Sequence, residues 1–125
     1  MNNNISKRLK QINIENNIWL IYIIIIGLSF YSNKLEKDYF INHNINSKET
    51  YREINTIICI VLIFVYSYFE KDAIESFFNN INKTSKQKQY DTLILIASTA
   101  ILISGFIFLY IILDDKNLDT EIAFN

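Results

Sequence analysis

The stretch TLILIASTAILISGFIFLYIIL, residues 92–113, contains neither a charged side chain nor a proline. That composition sets the fold class. A helix that crosses the hydrocarbon core of a bilayer needs about 20 predominantly apolar residues. A soluble core helix of that length would carry a polar face, and this stretch carries almost none. Two further uncharged blocks precede it, NNIWLIYIIIIGLSFYSN over residues 16–33 and INTIICIVLIFVYSYF over residues 54–69. The first is long enough to span, and the second is short unless flanking residues are drawn in. Three such blocks in 125 residues leave little polar surface for a soluble bundle. The expected fold is an all-α membrane protein with three transmembrane helices.

The rest of the chain divides around these blocks. Residues 1–15 carry Ile5, Leu9 and Ile12 at helical spacing with Lys7, Arg8 and Lys10 between them. That pattern predicts an amphipathic N-terminal helix at the membrane surface, with cations toward anionic headgroups. The first block ends in GLSFYSN, with aromatics where a signal-peptide cleavage motif would place small residues, so it reads as a retained span. Residues 34–53 are polar, with four basic and four acidic side chains, and read as a loop. Asn46 and Glu49 form a helix-start pairing that predicts the second helix from near Ser47. Residues 114–125 read as an acidic tail.

The connector between the second and third blocks, FEKDAIESFFNNINKTSKQKQYD over residues 69–91, has internal order. Ile74, Phe77, Phe78 and Ile81 follow the i, i+3, i+4, i+7 rule, while Lys71, Asp72, Glu75, Ser76 and Asn79 take the other side. With no Pro or Gly after Phe69, the second helix is predicted to continue to about Asn82 as an amphipathic extension. Thr84 and Gln87 make a capping box that starts the third helix before Asp91. The turn at 82–85 is then short, and helices two and three form an antiparallel hairpin. The basic cluster Lys83, Lys86 and Lys88 lies at this turn.

Seven basic residues fall in the N-terminal segment and the connector, against five in the 34–53 loop and the tail. The positive-inside rule therefore orients the N-terminus and connector toward the cytoplasm, in a bacterial inner membrane. The Ile, Asn and Lys bias suggests an A+T-rich genome, which reduces the weight of Asn-rich patches. A net charge of −1 gives no nucleic-acid footprint. Cys59 is the lone cysteine and His43 the lone histidine, so neither a disulfide nor a metal site is expected.

Two glycines, Gly27 and Gly105, are too few and too apolar in setting for a phosphate-binding loop. No block contains an ionisable Asp, Glu, Lys, Arg or His, which argues against a proton relay or ion-coupled transporter. The third block instead offers small residues: Ala97, Ala100 and Ser104 at three and four, with Ser98 and Gly105 adjacent. Such faces let helices approach closely in lipid. Intramolecular packing and a seam between copies both use them. Ser98, Thr99 and Ser104 are the polar groups deep in that block and the candidates to line a pore.

One tripeptide offers an enzymatic alternative. Ala73-Ile74-Glu75, just after the second block of a three-span chain, resembles the motif of the prokaryotic diacylglycerol kinase family. The resemblance implies a lipid kinase in which Glu75 acts as general base or metal-organising carboxylate, Asp91 is a second acidic position and Lys88 lies nearby. The motif's upstream Glu and Asn positions fall here on Tyr68 and Lys71. The interval from Glu75 to Asp91 is shorter than the family's, and the 34–53 loop is longer. The missing positions are oxygen ligands that magnesium–ATP chemistry uses. The leading expectation is therefore non-enzymatic and without cofactors. It is a homo-oligomeric pore or permeabilising protein of the kind represented by holins and anti-phage membrane effectors. The bilayer is its medium, and a cytoplasmic protein partner is compatible with it. An accessory subunit of a larger membrane complex is the second expectation, with loop and connector as docking surfaces.

Overall fold

The computed structural model describes residues 3–79 and 81–115. Its elements are three helices, α1 (Asn3–Asn42), α2 (Ile45–Phe78) and α3 (Ser85–Asp114), and no strand occurs among the described residues. At 1.5 Å per residue, 40, 34 and 30 residues give lengths of about 60, 51 and 45 Å. A hydrocarbon core is about 30 Å thick. Each helix therefore outruns its own apolar block. α1 and α3 are long and apolar enough to cross a membrane; the uncharged block of α2 is shorter.

Residues 5–15 are not a separate surface helix but the first turns of α1, which runs unbroken into the apolar block. Ile5, Leu9 and Ile12 are exposed there, and Arg8 is ion-paired to Glu15 at 3.1 Å. Over 34–53, read as a loop from its polarity, the chain is helical apart from His43 and Asn44. Polarity was a poor guide because Lys, Glu and Leu are good helix formers and no Gly or Pro interrupts them. The tail expected over 114–125 lies outside the described residues beyond Asp115.

The described chain groups into two units that meet within α2, one up to Ile54 and the other from Asn55. The first unit is organised by a turn that a single carboxylate ties together. His43 adopts φ 55°, the left-handed region, and its N–H donates to the Tyr39 carbonyl at 2.8 Å. Asn44 caps α2, its Oδ1 accepting from the N–H groups of Asn46 at 3.1 Å and Ser47 at 3.4 Å. This cap starts α2 at Ile45, ahead of the Ser47 start that the Asn46–Glu49 spacing predicts. Asp38 then accepts from Ser47 Oγ at 2.6 Å, Asn42 Nδ2 at 2.7 Å and Asn44 Nδ2 at 3.1 Å. Lys48 closes the turn over the Tyr39 ring.

The hydrogen bond from Ser47, followed by that from Asn42, holds the Asp38 carboxyl below its ordinary value. A depressed carboxyl contributes stability above its unfolded value, about 3.9, and loses it as pH falls through the lower folded value. The turn is thus expected to be intact at neutral pH and to loosen in acid. Amide exchange at Ser47 and Lys48, corrected for its intrinsic pH dependence, reads this directly. Asp38→Asn should lower protection at neutral pH and remove the acid step; full protection in that variant would refute the role given to Asp38.

The second unit pairs α2 with α3. Cys59 lies against Gly105 and Glu70 against Thr99, so rising numbers on α2 meet falling numbers on α3 and the pair is antiparallel. α2 ends at Phe78, with the Asn79 N–H bonded to the Glu75 carbonyl. Asn82 takes φ 59° and Thr84 begins α3 through the capping box with Gln87, both reciprocal bonds being present. Thr84→Ala should cost about 1 kcal/mol of α3 stability. A thermal melt in detergent that leaves the midpoint unmoved would count against the cap.

Candidate functional site

α3 carries the candidate residues, and its pairing with α2 sorts them by face. Gly105 is buried, and a Cβ built on it would lie 3.2 Å from Ile63 Cγ1 and 3.4 Å from Tyr66 Cδ2. The Gly105 carbonyl accepts from Cys59 Sγ at 3.4 Å. Backbone therefore meets side chain directly, as small residues permit between apolar helices. Thr99 faces the same partner through Glu70, and Ser98 is half-buried. Ala97, Ala100 and Ser104 are exposed, on a face about 100° or more round from Thr99. The Ser104 hydroxyl is satisfied within the helix by the Ala100 carbonyl at 2.8 Å. The small residues thus form two surfaces, one used inside the unit and one left open.

On α2 the amphipathic extension keeps its apolar side largely open. Ile74 and Phe78 are exposed, Phe77 is half-buried, and Ile81 is exposed beyond the helix end. The basic cluster divides as well. Lys83 donates to the Ser76 carbonyl and to Asp91 Oδ2, each at 2.6 Å, stapling the turn end of the hairpin. Lys86 stacks over the Tyr90 ring, and Lys88 is exposed. Of the tripeptide, Ala73 is buried and Glu75 exposed, while Asp91 is engaged by Lys83. Among the described residues no group of three His, Cys, Asp or Glu side chains is placed to hold a metal ion.

Sequence reasoning missed Glu70. It is the first ionisable residue after the second block and reads as the start of the connector. Its Oε1 nonetheless accepts from Thr99 Oγ1 at 2.7 Å, and its Oε2 is buried with no hydrogen-bond partner among the described residues. Seven residues of the third apolar block, 92–98, lie between Thr99 and the turn. At 1.5 Å per residue, Thr99 sits about 10 Å inside that block. A carboxyl group is thereby brought alongside an apolar block that has none of its own. The signal available in the sequence was the polar Thr99 amid apolar neighbours, which asks for a partner.

Comparison with known proteins gives no match: no family model, no characterised protein and no solved structure is similar to this chain.

Proposed function

We propose that the chain is an integral membrane protein with three spans whose copies associate through the open face of α3 and let ions leak across a bacterial inner membrane. The observation that carries this reading is the exposure of Ala97, Ala100 and Ser104 after α2 has taken the Thr99 and Gly105 side of α3. A flat small-residue face gains little from lipid tails and much from a second helix at close range. Support for α2 as a span comes from its pairing: from Cys59 to Glu70 it runs beside α3, so its apolar block shares the layer that α3 occupies. In this topology the first turns of α1 lie at the cytoplasmic surface, with Lys7, Arg8 and Lys10 toward headgroups. The connector lies on the same side.

The test is the mass of the detergent-purified protein by native mass spectrometry, together with membrane potential in cells that express it. Several copies per particle and a collapsed potential are the expected pair of results. A monomer that leaves the potential untouched would overturn the proposal. A second reading, an accessory subunit, draws on Phe78 at 73% and Ile81 at 77% exposure. These are large apolar side chains at the turn end where a partner would dock. It predicts an unchanged potential and recovery with a defined partner in fixed stoichiometry.

A further inference from the structure

Glu70 raises a question of hydrogen inventory. Thr99 Oγ1 lies 2.7 Å from Glu70 Oε1 and 2.8 Å from the Leu95 carbonyl oxygen, both at hydrogen-bonding distance. A hydroxyl has one hydrogen and accepts through its lone pairs. If Glu70 is ionised, its oxygen and the Leu95 carbonyl compete for that single hydrogen, and buried Oε2 has no donor among the described residues. If Glu70 carries a proton, the carboxyl donates to Thr99 Oγ1 and Thr99 donates to Leu95. Both short contacts are then hydrogen bonds, and the charge left without a partner disappears. An ionised carboxylate at such depth is expensive, and ionisable groups found there mark ion or proton pathways.

From this we propose that the Glu70–Thr99 pair is a proton-binding site within the α2–α3 hairpin. The proposal rests on the membrane reading of α3 but not on self-association. The step is simple: a proton from the aqueous phase adds to a carboxylate lone pair, and no other bond changes. A sodium ion fits less well, because hard cations gather several oxygen ligands and the described neighbours offer few. Within this unit the charged surroundings are sparse. On α3 no ionisable side chain occurs between Asp91, already paired with Lys83, and Tyr110. On α2, Tyr66 lies one turn back, Lys71 and Asp72 follow directly, and Glu75 is exposed.

The test uses a lipid-soluble carbodiimide on the full chain in lipid vesicles. The carboxyl oxygen bonds the central carbodiimide carbon while its proton passes to a nitrogen. The O-acylurea then rearranges to a stable N-acylurea with no leaving group. Mass spectrometry should find one adduct, on Glu70, lost in Glu70→Gln and formed more slowly as pH is raised. Labelling that spreads equally over Asp72 and Glu75, or spares Glu70, would overturn the site. Suppression by sodium at constant pH would overturn the proton assignment in favour of a metal cation. Thr99→Val keeps the carboxyl and removes its hydroxyl partner. Altered pH dependence of labelling is expected there, and an unchanged profile would remove Thr99 from the site. Since labelling is read on the isolated protein, it stands or falls independently of oligomer formation and leakage.

Discussion

Gly105→Leu should open the α2–α3 hairpin. A single added carbon at this position would already sit 3.2 Å from Ile63 and 3.4 Å from Tyr66, so even Ala forces neighbours to give by a few tenths of an ångström. Leu adds three further carbons beyond that already tight Cβ. Overpacking of this kind costs about 1–3 kcal/mol. If the pair lies in lipid, as proposed, no hydrophobic drive resists separation, because tails solvate the parted faces as well as the helices do. The expected outcome is therefore separation at Gly105 rather than a small adjustment. Cys59 reports it without further engineering. The only thiol in the chain, it is 2% exposed and lies against the Gly105 carbonyl. With a small maleimide that partitions into lipid, labelling should be slow in the parent protein, where the helix pair covers the thiol, and faster in Gly105→Leu. Gly27 supplies the control, since a Cβ there would meet nothing within 4 Å. Gly27→Ala should leave Cys59 protected and, by helix propensity alone, should not weaken α1. Equal labelling rates in Gly105→Leu and the parent would show that close approach at Gly105 is not what holds the pair.

Gly105 also shows which features the sequence makes legible. Its small size among apolar neighbours announces a close approach, but not which helix approaches. The Thr84–Gln87 capping box and the absence of charge over 92–113 could be read directly, because one depends on residues three apart and the other on composition along a single helix. The break at His43–Asn44 could not. It carries neither Gly nor Pro, a histidine takes the left-handed position, and the cap at Asn44 is shadowed by a second plausible pairing two residues on. Glu70 was hidden for a different reason. A block boundary lies along one helix, whereas the level at which α2 meets α3 depends on the geometry of the turn at 81–84. The pairing of residues 29 apart in sequence places Glu70 opposite Thr99 rather than at the block edge. The three apolar blocks hold no Asp, Glu, Lys, Arg or His of their own, yet the folded pair sets Glu70 alongside one of them.

A second variant, at positions 100 and 104, should act on the face of α3 turned away from α2. Ala100→Leu combined with Ser104→Leu enlarges the open face and leaves the packed one alone. Both positions are exposed, and Leu is a good helix former that lipid tolerates. The hydroxyl lost at Ser104 bonds only its own helix at Ala100, so no contact with α2 goes with it. The hairpin should therefore persist, and Cys59 should label as slowly as in the parent. Association between copies should not persist. Each helix contact that relied on the small face would carry an overpacking cost of about 1–3 kcal/mol, and about 1.4 kcal/mol is tenfold in an association constant. A closed ring repeats that contact at every subunit boundary, so the penalty compounds and the assembly should fall to smaller species. Loss of the particle mass and restoration of membrane potential should occur together. Leakage that survives when the oligomer is lost would separate the two and refute the open face as the seam of a pore. An oligomer that survives intact would move the seam to another surface, with the exposed Phe78 and Ile81 end of the connector next in order. Paired with Gly105→Leu, the double variant divides the small residues of α3 by function. On the proposed reading, one face holds the chain to itself and the other would hold copies to one another.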